Sequence, residues 1–167
     1  MTLIIETGTG VANANSYVTV TEYRAYATPR GIVLPVTDAA CETQLILAMD
    51  YLESQSWAGM PTYDTQPLAW PRDEIYISGM LIASDVIPGK IKFAQMQLAI
   101  QVNAGVDLMP VVIGGASGAI IREKVGPLET EYAAPSVGTQ PYFRSINALL
   151  APYLYTLGFG QFRATRG

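Results

Sequence analysis

The chain contains no histidine, and this absence removes both the commonest general base and the commonest metal ligand of proteins. A catalytic triad, a Cys-His dyad and a zinc site of the usual kinds are therefore excluded. The single cysteine, Cys41, cannot form an intramolecular disulfide, which is typical of a protein that folds in a reducing compartment. Because Cys41 falls on the apolar side of a predicted helix, we expect a buried, unreactive thiol.

Charge is also scarce. Charged residues make up 14% of the chain, whereas an average domain has about a quarter. So few charges leave apolar surface uncovered, and such surface usually marks a contact site, so we expect contacts with other subunits. The alternative is a compact monomer with a surface rich in Ser, Thr, Gln and Gly. The ten basic residues are spread along the whole chain, which argues against a surface dedicated to nucleic acid.

Long hydrophobic runs are missing. No apolar run approaches the roughly 20 residues that cross a bilayer, and the first six residues lack the basic start and apolar core of a signal peptide. We therefore expect no membrane contact and a protein made and used in the cytoplasm, or carried in a particle assembled there. A chain of 167 residues suffices for one domain with its own core and is too short for two.

Helical periodicity and helix-end signals predict four helices. Thr19 and Glu22 have the spacing of a capping box, which marks the start of the first helix. Pro88 suits the first turn of the third helix, and Gly105 suits its end. The helices are expected at about Val20–Arg30, from Thr37 or Asp38 onwards, at Pro88–Gly105, and around Phe143–Tyr153.

The remaining segments show turn signals. Residues 56–85 contain repeated Gly and Pro and are expected to be irregular. A turn at Gly126-Pro127 predicts a β-hairpin at about 118–133. The expected fold is mainly α: a small four-helix bundle with this hairpin and extended N- and C-terminal arms. We expect one helical domain over residues 1–155, followed by an extended tail over 156–167.

No group of residues in the sequence gives strong evidence of a catalytic or ligand-binding site. Asp73 with Glu74, and Glu129 with Glu131, resemble paired carboxylates, but such pairs on loops and strands are usually just solvated. The glycine-rich runs at 8–10 and 114–118 lack the Lys-Ser/Thr pair of a phosphate-binding loop. We therefore predict no catalytic residues, no metal, no cofactor and no enzymatic activity.

An aromatic platform for single-stranded nucleic acid is conceivable in one region. Trp57, Tyr63, Trp70 and Tyr76 lie close together in sequence, and unpaired bases stack on such rings. A platform also needs cations between the rings, and Arg72 is the one basic residue in this stretch. Packing in a core or an interface is therefore the better interpretation.

Three segments carry a family resemblance: residues 6–22, 66–72 and 124–132. Together they resemble the small head-tail connector (adaptor) proteins of tailed bacteriophages, some of which are labelled DnaT-like single-stranded DNA-binding proteins. The resemblance implies a structural protein that forms a dodecameric ring in the virion neck. Such a ring joins the portal protein to the next neck or tail component, lets double-stranded DNA pass, and is assembled in the host cytoplasm.

The resemblance also suggests residue roles. By analogy with connectors whose C-terminal segments reach the portal, the tail residues Phe159, Phe162, Arg163 and Arg166 are expected to bind it. The alternative is a frayed chain end. Arg122 and Lys124 are expected to line the DNA channel, or else to pair with Glu129 and Glu131 across the hairpin.

Two other functions compete with the connector. One is a single-stranded DNA-binding replication accessory protein, whose affinity would fall steeply with salt. The other is an enzyme of unrecognised type, for which no carboxylate stands out.

Overall fold

A computed structural model describes residues 2–110, 123–125, 128–130 and 142–155. Residues 123–125 and 128–130 are described by their backbone alone. Within these residues four α-helices form, two of which continue into a 3₁₀ turn, at Thr28–Arg30 and at Ala151–Tyr153. The helices are α1 (Val20–Ala27), α2 (Asp38–Glu53), α3 (Gly89–Asn103) and α4 (Arg144–Leu150). No helix in the described part is long and apolar enough to cross a membrane.

Three antiparallel pairs of short strands complete the described structure. In the first ladder Met60 lies opposite Asp73, in the second Tyr76 lies opposite Leu81, and in the third Lys124 lies opposite Glu129. The strands are β1 (Met60–Pro61) with β2 (Arg72–Asp73), β3 (Tyr76–Ile77) with β4 (Met80–Leu81), and β5 (Glu123–Val125) with β6 (Leu128–Thr130).

The expected four-helix bundle is wrong, because the fold mixes helices with strands. Helix α2 packs along α3, α4 packs on α3, and the short α1 contacts both α2 and α3. The segment between α2 and α3, expected to be irregular, contains the first two ladders. Strands of two residues are too short to show the alternating pattern by which a strand is recognised in a sequence.

The extended N-terminal arm is also wrong, since this segment folds back onto its own core. Glu6, Ser16 and Tyr17 are fully buried. The Glu6 carboxylate accepts hydrogen bonds of 2.7–3.0 Å from the backbone amides of residues 8–11. A carboxylate has enough lone pairs for all four donors, so one side chain orders the glycine-rich turn without a neighbouring subunit. The C-terminal arm lies outside the described residues.

A buried amide joins this segment to the helices. Gln95 of α3 is fully buried and accepts a 3.0 Å hydrogen bond from the backbone amide of Tyr17. Its Nε2 donates to Ser16 Oγ and to the carbonyl of Leu45 in α2. Because each polar group of Gln95 has a partner, the network costs little to bury and fixes the position of the N-terminal segment.

Arg72 holds the loop before β2 against the start of β1. Its guanidinium is buried and donates to the carbonyls of Ala58, Gly59 and Ala69 at 2.6–3.1 Å. Burial lowers the pKa of Arg72. Next to it the Trp70–Pro71 peptide bond is cis, and the Trp70 ring packs edge-to-face against Trp57 and Tyr153.

Candidate nucleic-acid interface

An open groove of about 580 Å³ runs between α1 and α3. The lining residues of each helix are three or four positions apart, so each helix presents one face to the groove. Val18 and Met96 are buried and form its apolar base. The groove is lined by Val18, Glu22, Ala25, Tyr26, Arg30, Gly89, Lys92, Phe93 and Met96.

Two aromatic rings stack across this groove. The ring centroids of Tyr26 and Phe93 are 5.6 Å apart, with an interplanar angle of 29°. Tyr26 is half-buried, and its hydroxyl accepts a 3.0 Å hydrogen bond from Gln97 Nε2. Phe93 remains 46% exposed. The packing of α1 on α3 thus fixes one ring and leaves part of the other open to solvent.

Cations lie beside these rings. The Arg30 guanidinium carbon is 3.5 Å from the Tyr26 ring centroid, a cation–π contact, and its Nη1 donates to the Tyr26 carbonyl at 2.7 Å. Lys92 lines the groove from α3. The one acidic lining residue is Glu22, whose carboxylate accepts hydrogen bonds from the backbone amide and hydroxyl of Thr19 in the capping box. The groove therefore combines an accessible π-face with two positive charges.

Other basic side chains in the described part are engaged or lie elsewhere. Arg24 forms a 2.9 Å ion pair with Asp38 and donates to the carbonyls of Pro35 and Val36. Arg72 is buried among carbonyls. Arg144 is exposed on α4, and Lys90 is exposed in the first turn of α3 outside the groove lining. The spread of basic residues in sequence did not predict the pairing of Arg30 with Lys92 in space.

The aromatic residues singled out in the sequence do not form a platform. Trp57 and Trp70 are 9% and 0% exposed, which confirms that they pack in the core. Tyr63 lines a separate cleft, and Tyr76 lies on the outer surface of β3.

Other candidate groups have structural surroundings. Cys41 is buried as expected, and burial raises the pKa of its thiol. Asp73 and Glu74 are exposed, and Asp73 Oδ1 accepts a 2.8 Å hydrogen bond from the Glu74 amide. The amides of the glycine run at 8–10 bind the Glu6 carboxylate, so they do not form an empty anion site.

The residues given roles by the family resemblance are mostly not described. Phe159, Phe162, Arg163, Arg166 and Arg122 lie outside the described residues. Lys124 lies in β5, and its backbone is opposite that of Glu129. These assignments stay predictions.

The comparisons with known proteins give one result. A family model described as "Putative DnaT-like ssDNA binding protein" matches residues 1–167. The chain belongs to this family. Neither the curated proteins nor the solved structures contain a significant match.

Membership of the DnaT-like family corrects the expected role. The family description names single-stranded DNA binding and gives no support to a head-tail connector or a virion structural protein. The connector prediction is therefore wrong, and the competing prediction is the better one. The positions of the basic residues in the sequence do not reveal the groove between α1 and α3.

A sequence signal for the groove exists, although it is faint. Tyr26 and Arg30 are four residues apart, so they share a helix face, and Lys92 precedes Phe93, the one aromatic residue of its helix. Phe93 lies outside the apolar stripe of its helix, and an aromatic ring in such a position is a candidate contact residue. The sequence does not show that α1 and α3 pack side by side.

Proposed function

We propose that this DnaT-like family member binds single-stranded DNA in the groove between α1 and α3, as an accessory protein in replication. The observation that carries the proposal is the stack of Tyr26 on Phe93, with Arg30 and Lys92 beside it in one open groove. Aromatic faces with adjacent cations are the common elements of proteins that hold unpaired strands.

The exposed ring selects single strands. In a duplex the base faces are covered by neighbouring bases, so only an unstacked base can lie on Phe93. Each base that stacks on an aromatic side chain contributes about 1–3 kcal/mol. The groove volume of about 580 Å³ suits a short stretch of strand better than a duplex.

The cations account for contacts with the backbone. Arg30 and Lys92 would each neutralise one phosphate, and each neutralised phosphate of a single strand contributes about −0.7 to the slope of log K against log salt concentration. Two contacts therefore predict a slope of about −1.4. This is shallower than the steep fall expected from the sequence, because two cations line the groove and stacking contributes to the binding as much as charge does. The Glu22 carboxylate limits the affinity for phosphate.

The test is binding of a fluorescently labelled oligothymidylate, measured by anisotropy at several salt concentrations. We expect Phe93→Ala to weaken binding about 5- to 100-fold, the equivalent of one lost stacking contact. We expect the double variant Arg30→Ala/Lys92→Ala to weaken binding and to bring the salt slope close to zero. The matched controls are Tyr142→Ala, an exposed aromatic outside the groove, and Arg144→Ala, an exposed cation on α4.

The outcomes separate the possibilities. Loss of affinity in the groove variants with unchanged controls supports the proposal. No measurable binding by the wild-type chain, or equal losses in groove and control variants, would overturn it. Circular dichroism of each variant checks that it is folded, and the surface positions of Phe93 and Arg30 make this the expected result.

A further inference from the structure

A second exposed surface lies on the hairpin of β3 and β4, and it is apolar. Tyr76 and Leu81 are directly opposite each other in the ladder, so their side chains lie on the same face. They are 65% and 56% exposed. Ile77 belongs to the other face and packs against the core. The outer face of this hairpin is therefore an apolar pair without a partner in the described structure.

The segment that contains this hairpin is acidic. Residues 60–85 contain four carboxylates, all exposed: Asp64, Asp73, Glu74 and Asp85. The one basic residue in this stretch, Arg72, is buried and donates to three carbonyls. An apolar pair within an acidic surface suits an occupant that is aromatic and basic.

The chain has such a segment at its C-terminal end. Residues 156–167 contain Phe159, Phe162, Arg163 and Arg166 and have no Asp or Glu. We propose that residues 156–167 dock intramolecularly on the outer face of the β3–β4 hairpin, with the aromatic rings against Tyr76 and Leu81 and the arginines towards the carboxylates.

The starting point of the segment favours docking within one chain. The Tyr155 amide donates a 2.8 Å hydrogen bond to the carbonyl of Ser56. Gly59 lies three residues after Ser56 and at most about 11 Å from it. Gly59 is in close contact with Asp73, since a Cβ at Gly59 would lie 2.2 Å from the Asp73 carbonyl oxygen. Asp73 is three residues from Tyr76. Since residues 156–167 span up to about 40 Å when extended, they reach the hairpin, and the tether raises their effective concentration there.

The test places a nitroxide spin label at the chain end through Gly167→Cys. Cys41 is fully buried, so the introduced thiol is the reactive one. In a ¹⁵N-labelled full chain without DNA, we expect selective paramagnetic broadening of the backbone amides of residues 76–81, and the same broadening after dilution. We expect Phe159→Ser/Phe162→Ser, Arg163→Glu/Arg166→Glu and Tyr76→Ser/Leu81→Ser each to remove it. Arg144→Glu, a charge reversal on α4, is the control that should leave it unchanged.

Three results would overturn the proposal. The first is an absence of selective broadening at residues 76–81. The second is broadening of the α1–α3 groove instead of the hairpin. The third is the same broadening in a mixture of spin-labelled ¹⁴N chains and unlabelled ¹⁵N chains, which would assign the face to a second copy. Because no DNA is present, the outcome is independent of the proposed strand binding.

Discussion

The hydroxyl of Tyr17 donates a 3.2 Å hydrogen bond to Glu53 Oε1, joining the N-terminal segment to the end of α2. Both oxygens of Glu53 also accept from the backbone amide of Ala69, at 2.9 and 3.0 Å. The Tyr17 oxygen in turn accepts from the Trp70 amide at 3.1 Å. Two of the three segments that carry the family resemblance, residues 6–22 and 66–72, therefore meet at one carboxylate.

Stability should depend on pH through Glu53. Burial raises the pKa of this carboxyl above its ordinary value of 4.5, although Ala69, Tyr17 and Arg72 act in the opposite direction. The folded state therefore holds more protons than the unfolded state between the two pKa values. The contribution of Glu53 to the free energy of unfolding falls as the pH rises from about 4.5 through the folded pKa. The effect is small, since part of the side chain is exposed.

Urea unfolding of the wild type and of Glu53→Gln at several pH values measures this effect. We expect the wild-type free energy of unfolding, relative to that of the variant, to fall across this window and then to level off. A relative free energy that rises with pH would contradict the assignment. Glu42→Gln, at a partly exposed carboxylate nearer the start of the same helix, is the control.

Removal of the Glu6 carboxylate should destabilise the protein. Glu6→Gln replaces an oxygen that accepts hydrogen bonds with an NH₂ group that faces backbone donors, so backbone amides of residues 8–11 lose their acceptor on this buried side chain. We expect a loss of about 2–4 kcal/mol in the free energy of unfolding, since an unmade buried bond to a charged group costs about 1.5–3 kcal/mol. Urea unfolding followed by circular dichroism measures it. A loss no larger than that of Glu42→Gln would show that the carboxylate does not hold the turn.

Alanine substitutions at two glycines distinguish the cost of a steric clash from the cost of a positive φ angle. Gly59 and Gly79 have positive φ angles of 67° and 80°, so alanine at either position is strained by about 1–2 kcal/mol. A Cβ at Gly59 would lie 2.2 Å from the Asp73 carbonyl oxygen, whereas nothing lies within 4 Å of one at Gly79. We expect Gly59→Ala to destabilise the protein by about 1–3 kcal/mol more than Gly79→Ala. Equal urea midpoints for the two variants would mean that Gly59 is not tightly packed.

Enlargement of the exposed ring should strengthen DNA binding. Phe93 is half-exposed at an open groove, so Phe93→Trp adds π-surface without filling the core. We expect a several-fold higher affinity for an oligothymidylate and little change for a duplex of the same length, because paired bases cannot reach the ring. Anisotropy titrations of both DNAs measure the two affinities. An equal gain for the duplex would indicate backbone contact without stacking.

The helix starts were predicted correctly from the sequence, because they depend on residues that are close together in the chain. The capping box of Thr19 and Glu22 forms as predicted, and α1 begins at Val20. The third helix begins directly after Pro88. These signals act within one helical turn, so the sequence shows them directly.

Features that depend on distant pairs were missed. The sequence gives no sign of the role of Gln95, because its partners Ser16 and Leu45 belong to other parts of the chain. The Tyr26–Phe93 stack depends on how α1 crosses α3, and the burial of Arg72 depends on carbonyls from two separate segments. Each of these needs the tertiary structure before its role can be read.

The hydrogen bond between Tyr17 and Gln95 joins residues 78 positions apart. During synthesis the N-terminal segment therefore leaves the ribosome long before the helix that receives it exists. Residues 6–17 cannot take their final position until α3 has been made, so a nascent chain halted before α3 should leave them accessible to proteases.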